Sequence, residues 1–233
     1  MSYQIITDSC CDFTRQQYEE LNVACAPLTV VYKGESHSNF SEPKAFYDEL
    51  RQGVTASTSA VNPDGWAIHM EKALKNGQDV LVLAVSSGLS TTYQSAVIAA
   101  QELKGSYPDR KIHVVDTLCA ALGQGLLVWY ACKKRDEGLD IDALYSWLEE
   151  HKLNVCHWVT VDDLSHLKRG GRISAATAMM GTMLNIKPII YVDNDGHLIN
   201  TAKVRGRKAA MELLAGKLGE TGSDFDTVFI AHG

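Results

Sequence analysis

The stretch Val80-Leu81-Val82-Leu83-Ala84-Val85-Ser86-Ser87-Gly88-Leu89-Ser90-Thr91-Thr92 decides the fold. It opens with an unbroken apolar run. An apolar run without alternation predicts a strand covered on both faces, as in a parallel sheet. A hydroxyl-rich turn then leads into a helix over 90–104, with small or apolar positions at Ala96, Ala99, Ala100 and Leu103. The same arrangement recurs on either side. Ile5-Ile6 runs into Thr7-Asp8-Ser9, and Ile112-His113-Val114-Val115 runs into Asp116-Thr117. Strands that alternate with helices predict a parallel α/β sheet. Ligands of such sheets bind outside the carboxyl ends of the strands, so three polar strand ends are expected to face one crevice.

Working outward toward the start, Thr14 to Leu21 reads as a helix and residues 26–32 as a second strand. A polar excursion from Lys33 to Pro43 follows, then a helix from Pro43 to Gln52. Residues 55–60 are rich in hydroxyls without helical period and read as a loop or short edge. Asn62-Pro63-Asp64 is a helix start, with Pro63 suited to the first turn. That helix stops at Asn76-Gly77.

Toward the end, the helix 119–136 is expected to bury Leu122, Leu126, Trp129 and Cys132, and a helix from Asp142 to His151 closes the first half. The second half opens with an alternating strand, 155–161. A polar segment, 162–174, and an Ala/Met-rich helix, 174–184, come next. Strand 187–192, the turn Asp193-Asn194-Asp195-Gly196 and a return strand 197–203 predict a hairpin. A helix over 206–218 and a strand over 227–231 finish the chain. That last strand lacks a following helix, which reads as a fragment of a longer fold. The domains expected are therefore 1–153 and 154–233, the second incomplete.

Composition narrows the function. The chain has 233 residues, with 22 basic and 28 acidic side chains, a net charge of −6. That balance argues against nucleic acid as a partner, since phosphate binding needs a basic face. No charged-then-apolar leader opens the chain and no run approaches a membrane span. The six cysteines form no C-x-x-C and read as free thiols of a cytoplasmic protein.

Several residues carry potential chemistry. Ser90, Thr91 and Thr92 open a helix, where free amides and the positive end of the dipole meet. Ser90 is then either a plain N-cap or part of an anion site, and the two readings are compatible. Thr58-Ser59 reads as loop. Asp8 and Asp116 read as strand-end acids that bind local amides. Met179, Met180 and Met183 form a face suited to core or to an adaptable apolar cavity. The histidines have no metal-ligand spacing. Gly123 and Gly125 lie inside a helix and read as packing positions. Neither a nucleophile elbow nor a phosphate-binding loop is present.

The blocks T-D-S at 7–9, T-S at 58–59 with Pro63, S-S-G-L-S-x-T-Y-Q-S-A at 86–96, D-T at 116–117, D-D-L-x-x-L-K-R-G-G-R-I-S at 162–174, L-N-I-K-P-I-I at 184–190, D-G at 195–196 and K-V-R-x-R-K-A at 203–209 fall in order along the chain. Together they resemble the DegV family of fatty-acid-binding proteins. The resemblance implies a two-domain α/β fold, with an N-terminal Rossmann-like sheet and a C-terminal mixed-sheet domain. One long-chain fatty acid is enclosed between them. It implies a carrier without turnover of its own, whose partner is an ATP-dependent kinase that phosphorylates the bound carboxylate. Residue by residue, it implies carboxylate contacts at Thr58 and Ser90. Ser59, Ser86, Thr91, Thr92, Arg172, Ser174, Met179 and Met183 would neighbour the site. Lys203, Arg205 and Arg207 would lie at the mouth or the partner surface. No cofactor or metal is implied beyond the fatty acid.

Two departures stand out. Ala60-Val61-Asn62 replaces the usual Q-P-S before Pro63, and Thr91 stands where the family has glycine. Family members also continue to an H-T-G-P-G block whose histidine touches the carboxylate, and His232 does not match it. Burial of a sixteen-carbon chain at ~0.8 kcal/mol per methylene gains roughly 11 kcal/mol gross, so the head group needs only hydroxyls and amides. The competing readings are a hydrolase or transferase using Asp8, Asp116 or Ser90, and a regulator whose ligand is a signal. The lack of a histidine placed to activate Ser90 counts against the enzyme.

Overall fold

The structure is a computed structural model that describes residues 2–38, 43–162, 164–174, 185–220 and 227–232. Strand β6 (Asp79–Ala84) is buried at every position, as its unbroken apolar run requires. Side chains alternate across a strand, so its residues divide between two cores. Leu81 and Leu83 join Ile5 and Val115 on one face, while Val80, Val82 and Ala84 join Ile6 and Ile112 on the other. Helices α5 (Ala121–Asp136) and α6 (Ile141–His151) cover the first face through Leu127, Val128, Ala131, Leu144 and Leu148. Helices α3 (Pro63–Lys75) and α4 (Thr92–Ser106) cover the second through Trp66, Met70, Ala96 and Ala99.

The sheet runs β2 (Val23–Ala26), β1 (Tyr3–Asp8), β6, β7 (Ile112–Asp116), all parallel. From β1 the chain first passes through α1 (Arg15–Glu20) to β2 on one side, and later resumes at β6 on the other. The switch point therefore lies between the carboxyl ends of β1 and β6, the place where ligands of such sheets bind.

The expected strand 26–32 is two strands in two sheets. Pro27, which lacks an N–H, separates β2 from β3 (Thr29–Tyr32). Lys33 and Gly34 both take positive φ (51° and 81°) and close a tight hairpin to β4 (Glu35–His37). Beyond α2 (Pro43–Arg51), the hydroxyl-rich segment forms β5 (Ala56–Ser59), the far edge of this antiparallel sheet, with Thr58 opposite Val30.

A third sheet is antiparallel, in the order β10 (Leu198–Arg205), β9 (Ile186–Val192), β8 (Trp158–Thr160). Its strand β8 is shorter than the expected 155–161. Helix α7 (Ser165–Arg169) precedes β9, and α8 (Arg207–Glu220) follows β10. Among the described residues, its buried cluster is built on Leu164, Ile173 and Ile190.

Two expectations are corrected. The buried stripe of α5 runs through Gln124, Leu127, Val128, Ala131 and Cys132; Leu122 and Trp129 are only partly buried. Residues 227–232 form no strand; Phe229 instead rests against Trp129 with ring centroids 6.1 Å apart. The Ala/Met helix, with Met179 and Met183, lies outside the described residues apart from Ser174. All six cysteines are free thiols. Among the described residues, no helix is long and apolar enough to cross a membrane.

Candidate functional site

Asp8, at the end of β1, is fully buried at the switch point. Its carboxylate accepts the Cys10 N–H at 2.9 Å and the Val85 N–H at 2.7 Å. Burial pushes the carboxyl above its ordinary value, and these backbone donors pull against that shift. Asp8 thereby straps the end of β1 to the end of β6. Asp116 does the same from β7, accepting the N–H of Ser87 at 3.1 Å and of Leu118 at 3.2 Å. The Ser86 N–H donates to the Cys119 carbonyl at 2.9 Å. Both acids thus bind local amides, as their strand-end positions predict.

The loop 86–91 that follows is built on Ser86. Its carbonyl accepts the amides of Leu89 and Ser90, at 3.0 and 3.1 Å. Its buried hydroxyl accepts the Gly88 N–H at 3.1 Å and donates to the Gly196 carbonyl at 2.9 Å. Ser86 was expected to neighbour a ligand, but both bonds of its hydroxyl are internal.

Ser90 is partly exposed, with its hydroxyl 2.8 Å from that of Thr92. It also accepts the Thr92 N–H at 3.2 Å. Thr92 is buried, and its carbonyl accepts the Trp66 indole N–H at 3.0 Å. The N-cap reading of Ser90 holds only for the first amide of α4, that of Thr92. Thr91 occupies the cap position of α4 and makes no side-chain cap bond. The next amides at the start of α4 are therefore not capped by Ser90 or Thr91, and they carry the positive end of a fifteen-residue helix.

The other expected site residues are spread over the two remaining sheets. Thr58 and Ser59 are exposed on β5, and among the described residues no hydrogen bond joins them to Ser90. Arg172 reaches the loop directly: its Nε donates to the Leu89 carbonyl at 2.9 Å and a second nitrogen to the Gly170 carbonyl. Ser174 is exposed. Lys203 is half-buried on β10, while Arg205 and Arg207 are exposed. Arg207 stands 4.0 Å from Asp162, which pairs with Lys187 at 2.7 Å. The hydrogen bond from Lys187 holds the Asp162 carboxyl below its ordinary value.

Sequence reasoning missed the contacts that bring the β8–β10 sheet onto this loop. A Cβ added to Gly88 would stand 2.8 Å from the Asp195 carbonyl oxygen, and one on Gly196 would overlap the Ser86 hydroxyl. Gly123 of α5 takes the His157 ring so closely that any side chain there would overlap it. His157 Nε2 is buried without a partner among the described residues, and burial pushes the imidazole down to about 4. The only sequence signal for this seam was glycine, and Gly123 was read correctly as packing. Backbone strain gathers nearby as well: Leu118 and Ala121 take φ of 54° and 51°. Among the described residues, no group of three or more His, Cys, Asp or Glu is placed to hold a metal.

Comparison with known proteins gives this geometry a context. Residues 2–233 match the family described as uncharacterised proteins of the DegV family. A DegV domain-containing protein of Clostridium perfringens is 44% identical over 237 aligned positions, covering 99% of this chain and 81% of the relative. A fatty-acid-binding DegV family protein from Thermus thermophilus superposes with a TM-score of 0.83 at 33% identity, over 95% of this chain and 78% of that one. The Fatty Acid Kinase (Fak) B3 protein of Streptococcus pneumoniae, solved loaded with linoleic acid, gives a TM-score of 0.82 at 21% identity, over 95% and 79%. At that identity the likeness is one of fold.

Proposed function

The chain belongs to the DegV family, and on that premise we propose that it binds one long-chain fatty acid between domains 1–153 and 154–233, with the carboxylate at Ser90. The observation that carries this reading is the state of the α4 N-terminus. A partly exposed serine hydroxyl, which accepts the first amide of α4, stands beside the following amides that neither Ser90 nor Thr91 caps, at the switch point of a parallel sheet. Such a site suits a carboxylate without a buried cation. The apolar tail draws its affinity from burial. Thr58 supplies a second hydroxyl once β5 and the α4 start share the ligand.

The carrier role is the finer part of the proposal. The bound carboxylate would be presented to an ATP-dependent kinase, with Lys203, Arg205 and Arg207 facing the partner and the protein working in the cytoplasm. The family resemblance supports this, and the fold shared with the Fak B3 protein is consistent with it. A hydrolase is disfavoured by the site's own bonds. The Ser90 hydroxyl meets Thr92 and, among the described residues, no histidine, while Asp8 is occupied by backbone amides.

Ser90→Ala tests the reading. Loss of a hydrogen bond to a charged group costs about 1.5–3 kcal/mol, or roughly tenfold to 150-fold in palmitate affinity. Thr58→Val should act in the same sense, with the thermal midpoint of both variants near that of the parent. Unchanged palmitate affinity in both variants would remove the carboxylate from this site.

A further inference from the structure

The turn of the β9–β10 hairpin and the loop that carries Ser90 meet at two glycines. The turn is stiff in its own right. Asp193 accepts the amides of Asp195 and His197 at 3.0 and 2.8 Å, and its backbone exchanges bonds with His197 and Gly196. The loop is stiff too, strapped by Asp8, Asp116 and Cys119. Among the described residues, the two pieces meet through the Ser86 hydroxyl on the Gly196 carbonyl and the bare Cα of Gly88 under residues 195–196, with Leu118 also close to Gly196. Ser86 joins the two functions, because its carbonyl fixes the Ser90 amide while its hydroxyl holds the hairpin.

We propose that Ser86 and Gly88 are positioning residues: they seat the hairpin turn 193–197 on the ligand loop, and this seat sets how long a bound fatty acid is retained. The proposal rests on the fatty-acid reading above. Neither residue needs to touch the ligand. The seat fixes the place of Ser90 from below and holds the β8–β10 sheet over the site. Ligand leaves when the seat parts, since the seat is where the hairpin turn itself meets the loop.

Gly88 offers a clean wedge. Its φ lies outside the left-handed region, so Gly88→Ala strains no local backbone, and the nearest atoms the added methyl meets are the hairpin's main chain at 195–196. The experiment loads the protein with palmitate and follows its transfer to phosphatidylcholine vesicles. In parallel, amide hydrogen exchange is read on the same variants without added palmitate. Ser86→Ala should speed transfer by up to about tenfold, the worth of one buried hydrogen bond, and Gly88→Ala, whose methyl pushes on the main chain at 195–196, should speed it in the same sense. The double variant should do little more than either alone, because both act on one contact. Exchange should rise together at 86–90 and at 193–197. Unchanged transfer in loaded variants, or additive effects, would overturn the proposal. So would faster exchange confined to 86–90. If the parent protein takes up no palmitate, the fatty-acid reading fails, and the exchange data still decide whether the seat exists.

Discussion

The parallel sheet and the segments around the β8–β10 sheet both bond the same loop, and among the described residues they do so from different buried clusters. The parallel sheet is covered on both faces, and β6 is buried along its whole length. The β8–β10 sheet rests on Leu164, Ile173 and Ile190, with partly buried neighbours Val161, Leu167 and Leu198. The difference teaches which side fixes the site and which side moves. Asp8 and Asp116 bind the loop to a deep core. The hairpin turn meets the loop at Ser86 and Gly88, and Arg172, from the segment between α7 and β9, bonds the loop at Leu89. On the proposed reading, the carboxylate anchor stays fixed to the parallel sheet while the hairpin side opens.

Core truncations should break this comparison most visibly. Leu83 and Ile190 are both fully buried. Leu83→Ala, between two covering layers, should cost about 2–5 kcal/mol in denaturant unfolding. Ile190→Ala should fall at the lower end of that range, because a thin core relaxes more easily around the gap. It should also raise amide exchange in β9 and β10 while leaving β1 and β6 protected. Equal losses, or exchange rising throughout, would show one uniform body instead.

A pH series sharpens the seam between the two regions. His157 is held neutral by burial against Gly123, with its imidazole near 4 instead of the ordinary 6.5. Below about 6.5 the unfolded chain takes up a proton that the folded chain refuses. Stability from this group is therefore full above pH 6.5 and lost as pH falls toward 4, at up to ~1.4 kcal/mol per pH unit. Asp8 acts with the opposite sign: its raised carboxyl favours the folded state as pH falls. The difference between the parent and His157→Leu isolates the histidine. The variant should lose the slope between pH 4 and 6.5, and an unchanged slope would place the His157 ring in water.

The parallel sheet was legible because its signals are local. The run at 80–85 states its own burial, and Asp8 and Asp116 announce strand ends by position. The split of 26–32 into two sheets was less legible, although Pro27 marks it, because propensity does not say which sheet a strand joins. The stripe of α5 was misplaced since its facing partners, Cys11 with Phe13 at Gly125 and His157 at Gly123, come from distant segments. The role of Ser86 was hidden for the same reason. Its partner lies 110 residues away, and in sequence only the glycines at 88 and 196 hint at the approach.

The smallest expected effect concerns the surface of the second region. Arg205→Glu with Arg207→Glu should slow acyl phosphate formation by kinase and carrier together, more strongly at low salt, and leave palmitate loading unchanged. Asp162 already offsets part of this charge through Arg207, so the change in rate should be modest. Coupled turnover that does not respond at any salt would leave these arginines as solvated surface only.

The central claim is that the crevice between the two regions holds a fatty acid. Denaturing the purified protein, extracting it with organic solvent and weighing the extract by mass spectrometry tests this most directly. The account predicts a fatty acid of roughly sixteen to eighteen carbons, the range the family resemblance implies, at up to one per chain, its tail held by burial at ~0.8 kcal/mol per methylene. An extract free of fatty acid, from folded protein that also takes up none when palmitate is supplied, would contradict it.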